Sequence, residues 1–170
     1  DGDGLFLDVP TSIDIIGHEF THAMIDYTCQ LVYAGEHGSI NEGICDIFGF
    51  MCNRFKNGET DFSIGGDIDV RVNATRGLRR FDNPENCTDP QPKMYGGKYW
   101  MEIKSTDEPT SANDYLHVHV NSGPILYWFY LLGEGGTGTN ENNYSFDVSG
   151  IGFDKSAQIV YRAMTNYLHN

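Results

Sequence analysis

Two histidines and a glutamate near the start of the chain have the spacing needed to hold and use a metal ion. Residues 18–22 read His-Glu-Phe-Thr-His, so His18 and His22 are four positions apart. On an α-helix this spacing puts both imidazoles on one face, where two ring nitrogens can bind a single ion. Zinc accepts neutral imidazole, and a site with three protein ligands leaves one position for water. Glu19 would lie beside that water as a general base, which predicts hydrolytic chemistry.

A third ligand is available in the next predicted helix. Glu42 follows His22 by twenty residues, and a second helix that folds back along the first can return its carboxylate to the metal. Ser39 and Glu42 also have the Ser-x-x-Glu spacing of a capping box, in which the glutamate only satisfies a backbone N–H. We interpret Glu42 as the ligand, because the upstream motif needs one.

The same helix offers partners for the outer nitrogens of the two imidazoles. Metal-bound histidines usually donate their other N–H to a carboxylate or a carbonyl. Asp46, one turn beyond the third ligand, is the expected partner of His18, and Asn41 that of His22. The histidine motif alone would arise by chance in about one chain of this length in a hundred, so this surrounding context strengthens the zinc interpretation.

Several ordered blocks of the chain resemble the thermolysin-like zinc metallopeptidases, of the neutral protease and elastase type. Besides the motif, the matching blocks occupy residues 1–4, 13–14, 26–28, 40–42, 46–49, 119–123, 150–152 and 161–163. The resemblance covers almost the whole chain. It implies a mainly α fold, with a zincin-type pair of zinc helices, a helical C-terminal lobe and long irregular loops, as one catalytic region over residues 1–170. Compared with the family, the β-rich N-terminal lobe and the last helices are missing, so that lobe is an expected partner.

The resemblance also implies roles for residues outside the zinc helices. Tyr33 and His119 would donate hydrogen bonds to the oxyanion that forms during peptide hydrolysis, while Asp114 would orient His119. Residues 117–120 alternate His-Val-His-Val, which predicts an extended segment with His117 and His119 on one side. In the implied mechanism, zinc lowers the pKa of a water molecule toward about 7, and Glu19 takes its proton during attack on the peptide carbonyl.

Substrate-binding residues follow from the same resemblance. Arg76 matches the family's substrate-binding arginine, with Arg79 and Arg80 as nearby alternatives. The positions of the specificity pocket are all apolar, which implies cleavage before a bulky hydrophobic residue such as Leu, Phe or Ile. Those positions are Phe6, Val9, Ile15, Ile64 and Ile68.

Hydrophobic periodicity predicts the helices that position these residues. The first helix carries a stripe that we expect to face the core, formed by Ile16, Phe20, Ala23, Met24 and Tyr27. The second helix is predicted over about 40–55, and a third over 124–133 that is hydrophobic all round and therefore central. A last helix over about 155–168 should bury Ile159, Val160, Ala163, Met164 and Tyr167. Residues 56–115 and 134–149 are predicted loops.

Composition and charge exclude some classes of partner. The 170 residues are 39% hydrophobic and 13% aromatic, which is enough for a real core, and the net charge is −13. Nucleic acid and anionic membranes are therefore not expected partners, since both attract basic surfaces. The Asn-x-Ser/Thr sequons at Asn73, Asn86 and Asn143 are compatible with a secreted protein. Four cysteines permit three pairings, and we expect Cys45 and Cys52 to be free core thiols.

Two further expectations concern function and metal content. A peptide or protein substrate is expected, but an inactive zinc-binding scaffold or an interaction module derived from a peptidase remains the alternative. The paired calcium site common in the family should be absent, because only Asp14 and Asp61 remain at its positions, where other carboxylates are replaced by Asn53, Ser63 and Gly66.

Overall fold

A computed structural model describes residues 12–58, 61–68 and 77–170. In this part of the chain the helices are α1 (Ile13–Tyr27), α2 (Gly35–Asn57), α3 (Asp114–His117), α4 (Gly123–Glu134) and α5 (Phe153–Asn166). Two antiparallel strand pairs accompany them, β1 (Ser63–Ile64) with β2 (Arg79–Arg80) and β3 (Gly135–Thr139) with β4 (Ser145–Ser149). The mainly α prediction is confirmed, and no helix among these described residues is long and apolar enough to cross a membrane.

The zinc-motif helix α1 packs closely against α2. A Cβ added to Gly17 would lie 3.1 Å from the Cα of Gly49, and a Cβ added to Gly49 would lie 2.3 Å from the backbone oxygen of Asp14. The beginning of α1 therefore contacts the second half of α2, so the two helices run antiparallel. Glycine at the crossing brings the two backbones together, and this holds the site residues of both helices within reach of one another.

The predicted core stripe of α1 is wrong for most of its members, although Met24 does pack against the core. Tyr27 is 91% exposed, Phe20 69% and Ile16 46%, whereas the buried face contains Asp14, Ile15, Gly17, His18, Thr21 and Ile25. The close packing on α2 requires small and polar residues at the contact, and this outweighs the apolar periodicity. The large apolar side chains of Ile16, Phe20 and Tyr27 therefore form an exposed face, whereas Ile15 and Ile25 are buried.

Helix α2 begins five residues earlier than predicted, at Gly35. Ser39 consequently lies inside the helix, where its hydroxyl donates to the carbonyl of Gly35 at 3.0 Å. A capping role for Glu42 is excluded by this geometry, because both residues are well past the helix start.

Aromatic side chains form the centre of the hydrophobic core. Phe50 of α2 packs against Phe81, Phe129 of α4 and Phe153 of α5, with ring centroids 4.9, 6.4 and 5.4 Å away. Each of these four side chains is at most 5% exposed. The core thus joins α2, α4 and α5 behind the face of α2 that meets α1, and it supports both α1 and α2 rigidly.

Several predictions for the second half of the chain are corrected. The stretch 134–149 is a β-hairpin from Gly135 to Ser149, because strand pairing supplies hydrogen bonds that a polar loop would lack. Trp128 of α4 is 46% exposed, so this helix is not buried all round. Ile159 of α5 and Tyr167, which follows the helix, are exposed, and the buried positions of α5 are Phe153, Ser156, Val160 and Met164.

The cysteines are free thiols, but they are not all in the core. Cys45 is fully buried, as expected, whereas Cys52 is exposed. Cys45 and Cys52 are seven residues apart, which is nearly two helical turns, so they lie near the same side of α2. Only Cys45 lies where that side is fully covered. Cys29 and Cys87 are buried and unpaired.

The short element α3, residues 114–117, is a left-handed turn, and the extended segment predicted for residues 117–120 is not formed. Asp114, Tyr115, Leu116 and His117 all have positive φ, at 52°, 49°, 69° and 64°. The following residues, Val118 and His119, are in the right-handed α region. A left-handed conformation costs about 1–2 kcal/mol per non-glycine residue, so this turn stores strain directly beside His119.

Replacing His117 by Gly should therefore stabilise the protein. We expect the free energy of unfolding to rise by about 0.5–1 kcal/mol, because glycine adopts positive φ without a Cβ clash but loses more entropy on folding. Urea denaturation measures this change. Gln158→Gly in the regular helix α5 is the control and should lower stability by about 1 kcal/mol. Equal losses in both variants would contradict the assignment of strain to the turn.

Candidate metal centre

Three side chains from the two packed helices meet at one point. The Nε2 atoms of His18 and His22 are 3.2 Å apart. The carboxylate of Glu42 lies 3.5 Å from His18 Nε2 and 3.4 Å from His22 Nε2. One ligand atom from each of the three residues lies within 4.8 Å of the others. Glu19 is exposed on α1, next to His18.

The outer nitrogens of both imidazoles have acceptors on α2. His18 Nδ1 is 2.8 Å from Asp46 Oδ1, and His22 Nδ1 is 2.8 Å from Asn41 Oδ1. An oxygen at Nδ1 requires the proton there, so the Nε2 lone pairs of both rings point to the meeting place. This tautomer suits a pair of metal ligands.

The buried carboxylate provides a test of whether a metal fits. Glu42 is 0% exposed, and its Oε2 has no hydrogen-bond partner among the described residues. A buried anionic oxygen without a partner is costly, and two imidazole lone pairs directed at each other repel. A divalent cation would satisfy all three groups at once. Two neutral imidazoles and one carboxylate are the donor set that zinc accepts, so the residues fit the ion.

A half-buried arginine, Arg79, lies behind the site, and its contact with Asp46 was not expected from the sequence. Arg79 donates from Nε to Asp46 Oδ2 at 2.5 Å and from a terminal nitrogen to Oδ1 at 2.7 Å. Burial alone would raise the pKa of Asp46, but the charge of Arg79 and the hydrogen bond with His18 hold it well below its usual range. Asp46 therefore stays ionised and links Arg79 to His18.

A second group of side chains lies on the open side of Glu42. The hydroxyl of Tyr33 donates to Glu42 Oε1 at 2.6 Å, and His119 Nε2 is 3.3 Å from Oε2. His119 Nδ1 is 2.5 Å from Asp114 Oδ1, and its backbone N–H donates to Asp114 Oδ2 at 3.0 Å. Burial and the hydrogen bond to Glu42 raise the pKa of Tyr33, so its hydroxyl keeps its proton. The left-handed turn places the Asp114 carboxylate where it accepts from both the ring and the backbone N–H of His119.

Gln91 holds the backbone next to His119, and no sequence signal pointed to it. Its side-chain nitrogen donates to the carbonyl of His119 at 2.5 Å and to the hydroxyl of Ser122 at 3.0 Å. The residue is 1% exposed and lies 28 positions before His119 in the chain. Only a contact between distant segments identifies such a residue.

The expected substrate-binding residues are placed only in part. Phe6, Val9 and Arg76 lie outside the described residues. Ile15, Ile64 and Ile68 are buried in the hydrophobic core, at 5%, 0% and 3% exposure. A cavity of about 490 Å³ lies beside His119, and its described lining is Leu78, Arg79, Asp89, Gln91, Asp114, His119 and Val120. Leu78 also packs against the core, and so joins this cavity to the buried isoleucines.

The carboxylates at the expected calcium positions accept hydrogen bonds from the protein. Asp14 is buried, and its two oxygens accept the backbone N–H groups of Ile15 and Gly65, each at 2.8 Å. The Ser12 hydroxyl also donates to Asp14. Asp61 accepts from the Ser63 hydroxyl at 2.7 Å. These bonds involve both oxygens of Asp14 and one oxygen of Asp61.

We expect calcium to leave the stability of the protein unchanged. A pair of calcium ions needs several carboxylates, and here the two that remain have protein donors. The melting temperature of zinc-loaded protein, measured with and without added calcium, tests this. An increase of more than about 2 °C that Asp61→Asn removes would contradict the prediction.

Comparison with known proteins identifies the family. Residues 29–170 match the model of the thermolysin metallopeptidase alpha-helical domain. The chain is 41% identical over 169 residues to bacillolysin of Bacillus caldolyticus and to thermolysin of Alicyclobacillus acidocaldarius subsp. acidocaldarius. It is 37% identical over 169 residues to neutral protease B of Bacillus subtilis (strain 168). Each alignment covers 99% of this chain but only 27–28% of the relative.

A solved structure supports the same family assignment. The precursor of protealysin, a metalloproteinase from Serratia proteamaculans, superposes with a TM-score of 0.73 at 26% identity, over 98% of this chain and 49% of that one. The chain spans little more than a quarter of the curated relatives it matches. Sequence and fold agree over nearly its whole length: this chain belongs to the thermolysin metallopeptidase family.

Proposed function

We propose that this protein is a zinc-dependent endopeptidase, with His18, His22 and Glu42 as the zinc ligands. The observation that carries the proposal is the buried Glu42 carboxylate, whose Oε2 has no hydrogen-bond partner among the described residues and lies 3.5 Å from His18 Nε2. When bound, zinc supplies Lewis acidity, which polarises a peptide carbonyl and makes water a stronger nucleophile at neutral pH. Asp46 and Asn41 hold the two imidazoles in the tautomer that this role requires.

Glu19 is the proposed general base. It is exposed, and no hydrogen bond to its side chain is found among the described residues, so its carboxylate is available to water and substrate. Its position directly after His18 puts it at the edge of the ligand group. Glu19 would accept a proton from the attacking water and deliver it to the leaving amine, which restores the carboxylate at the end of the reaction.

Tyr33 and His119 are the proposed donors to the developing oxyanion. Both side chains approach Glu42 and are 3.4 Å from each other, so they share one side of the site. Asp114 accepts from His119 Nδ1, which fixes the orientation of the ring. Such prepositioned donors stabilise negative charge in the transition state more than in the substrate.

The cavity beside His119 is the proposed place of the peptide residues that follow the scissile bond. Arg79 lines this cavity, and its charge is fixed by the ion pair with Asp46, so we propose that Arg79, in addition to Arg76, binds the substrate. Leu78 forms an apolar part of the wall and connects to Ile64 and the core. A preference for a bulky hydrophobic residue after the scissile bond fits this lining, together with Phe6, Val9, Ile15 and Ile68.

The exposed face of α1 is the proposed contact surface for a second lobe of the same protein. Ile16, Phe20 and Tyr27 are large, apolar and exposed on the helix that carries the histidines. Apolar surface of this kind is costly in water and is typical of an interface. We also propose that the protein is secreted, as suggested by the sequons at Asn86 and Asn143, both of which are exposed.

The 170 residues by themselves should bind zinc but cleave extended peptides slowly. A peptide in the proposed enzyme lies between two lobes, and α1 exposes the surface that the second lobe would cover. Zinc content by atomic absorption and turnover of fluorogenic peptides with Leu or Phe after the scissile bond test both parts. Rapid turnover by these residues alone would contradict the two-lobe arrangement. No cleavage by a longer protein that contains both lobes would favour the inactive scaffold.

A further inference from the structure

A second group of chemically distinctive side chains lies where the segment 95–103 crosses the start of α2. A cavity of about 280 Å³ is lined there by Glu36, Tyr95, Gly96, Trp100, Glu102 and Ile103. A neighbouring cavity of about 220 Å³ shares Glu36, Tyr95 and Trp100 with it. Each cavity is below the usual size of a drug-binding pocket and is suited to a single long side chain, and together the two form one cleft.

Two aromatic rings and two carboxylates converge in this cleft. The rings of Tyr95 and Trp100 are 4.3 Å apart at an angle of 43°, so the two planes form an open wedge. Tyr95 donates its hydroxyl to Glu36 Oε1 at 2.6 Å, which fixes the carboxylate next to the rings. Glu102 lines the same cavity. Aromatic faces attract cations, and carboxylates nearby add direct charge attraction.

The cleft contains no cation of its own. Neither cavity has a lysine or arginine among its described lining residues. Of the nearby lysines, Lys93 places its ammonium 5.6 Å from the ring centroid of Tyr127, and Lys98 places its ammonium 4.5 Å from that of Tyr99. Neither tyrosine lines either cavity. The chain as a whole has a net charge of −13, which increases the local concentration of cations.

We propose that the cleft formed by Glu36, Tyr95, Trp100 and Glu102 binds an organic cation, namely the side chain of a lysine or arginine on a bound peptide or protein. The aliphatic part of such a side chain would lie against Trp100 and Ile103, with the charged end between the rings and the carboxylates. Ile103 provides the apolar wall that a hydrated metal ion would not need. A long side chain with a terminal positive charge matches both parts of the cleft.

This cleft is separate from the metal centre. It shares no lining residue with the cavity beside His119. Glu36 and Glu42 are six residues apart on α2, which corresponds to about 9 Å along the helix axis. Binding of a cation can therefore be measured whether or not the protein hydrolyses peptides, so the failure of one proposal would not imply the failure of the other.

Tryptophan fluorescence can test the proposal directly. The chain has only two tryptophans, Trp100 and Trp128, so Trp128→Phe leaves a single reporter in the cleft. Zinc-loaded protein of this background is titrated with the Nα-acetyl amides of lysine and arginine, and with that of norleucine as the neutral control. We expect saturable changes for at least one cation at about millimolar concentration, and binding about tenfold weaker for norleucine.

Matched variants identify the groups responsible. Glu36→Gln should weaken binding of the cation about fivefold or more without changing the weak binding of norleucine. Trp100→Phe, followed by NMR chemical shifts because the reporter is lost, should retain part of the affinity, and Trp100→Ala should lose it. Circular dichroism verifies that each variant is folded. Equal affinity for lysine and norleucine amides, no response of Trp100, or no effect of Glu36→Gln would each overturn the proposal.

Discussion

Replacing Glu19 by Gln should slow peptide hydrolysis by about 10²–10⁴-fold while zinc remains bound, because the change removes a proton acceptor without altering a proposed ligand. Glu19 is exposed beside His18, and none of the hydrogen bonds that fix the imidazoles involves it. The amide of glutamine has nearly the same shape as the carboxylate but cannot accept the proton of water. Turnover should fall while the Michaelis constant changes little.

Controls separate the base from the ligands. Glu134→Gln removes an exposed carboxylate at the end of α4 and should leave both zinc and turnover unchanged. His18→Ala, His22→Ala and Glu42→Ala should lose zinc and activity together, because each removes one of three proposed ligands. Loss of zinc from Glu19→Gln, or retention of most of its activity, would contradict the role given to Glu19.

The largest effect on stability is expected from Arg79→Met. This change leaves the carboxylate of Asp46 fully buried without its cation, which should cost about 3–5 kcal/mol of folding free energy. For a chain of this size the melting temperature would fall by about 6–20 °C. Zinc affinity should also fall by about 10–100-fold, because Asp46 orients His18. Calorimetry and a competitive zinc assay measure the two effects.

The neighbouring Arg80 provides a matched control. Arg80 pairs with Asp82 at 2.8 Å, but the carboxylate of Asp82 is 31% exposed, so Arg80→Met should cost less than about 1 kcal/mol. The double variant Arg79→Met with Asp46→Asn removes both buried charges and should regain part of the lost stability, but not the zinc affinity. If Arg79→Met and Arg80→Met lost the same free energy of unfolding, burial of the Asp46 carboxylate would not make its ion pair the more important one.

Hydrophobic periodicity predicted the existence of the helices better than their buried faces. In α1, the spacing of Ile16 and Phe20 correctly indicated a helix, but these side chains are exposed, and the buried face contains Asp14, Gly17 and His18. Periodicity reports which side is apolar, whereas the partner surface decides which side is covered. Here the close contact with α2 at Gly49 requires small residues, which a pattern of large apolar residues cannot indicate.

The sequence by itself indicated the family, through ordered blocks that resemble it, and it placed His18 and His22 together, because four residues on a helix do so in any helical fold. The tertiary structure alone decided the pairing of Arg79 with Asp46, the support of His119 by Gln91, and the cleft between Tyr95, Trp100 and Glu36. These contacts join residues 33, 28 and 59 positions apart. No backbone periodicity extends over such distances, so side chains from separate segments meet only when the core has fixed the path of the chain.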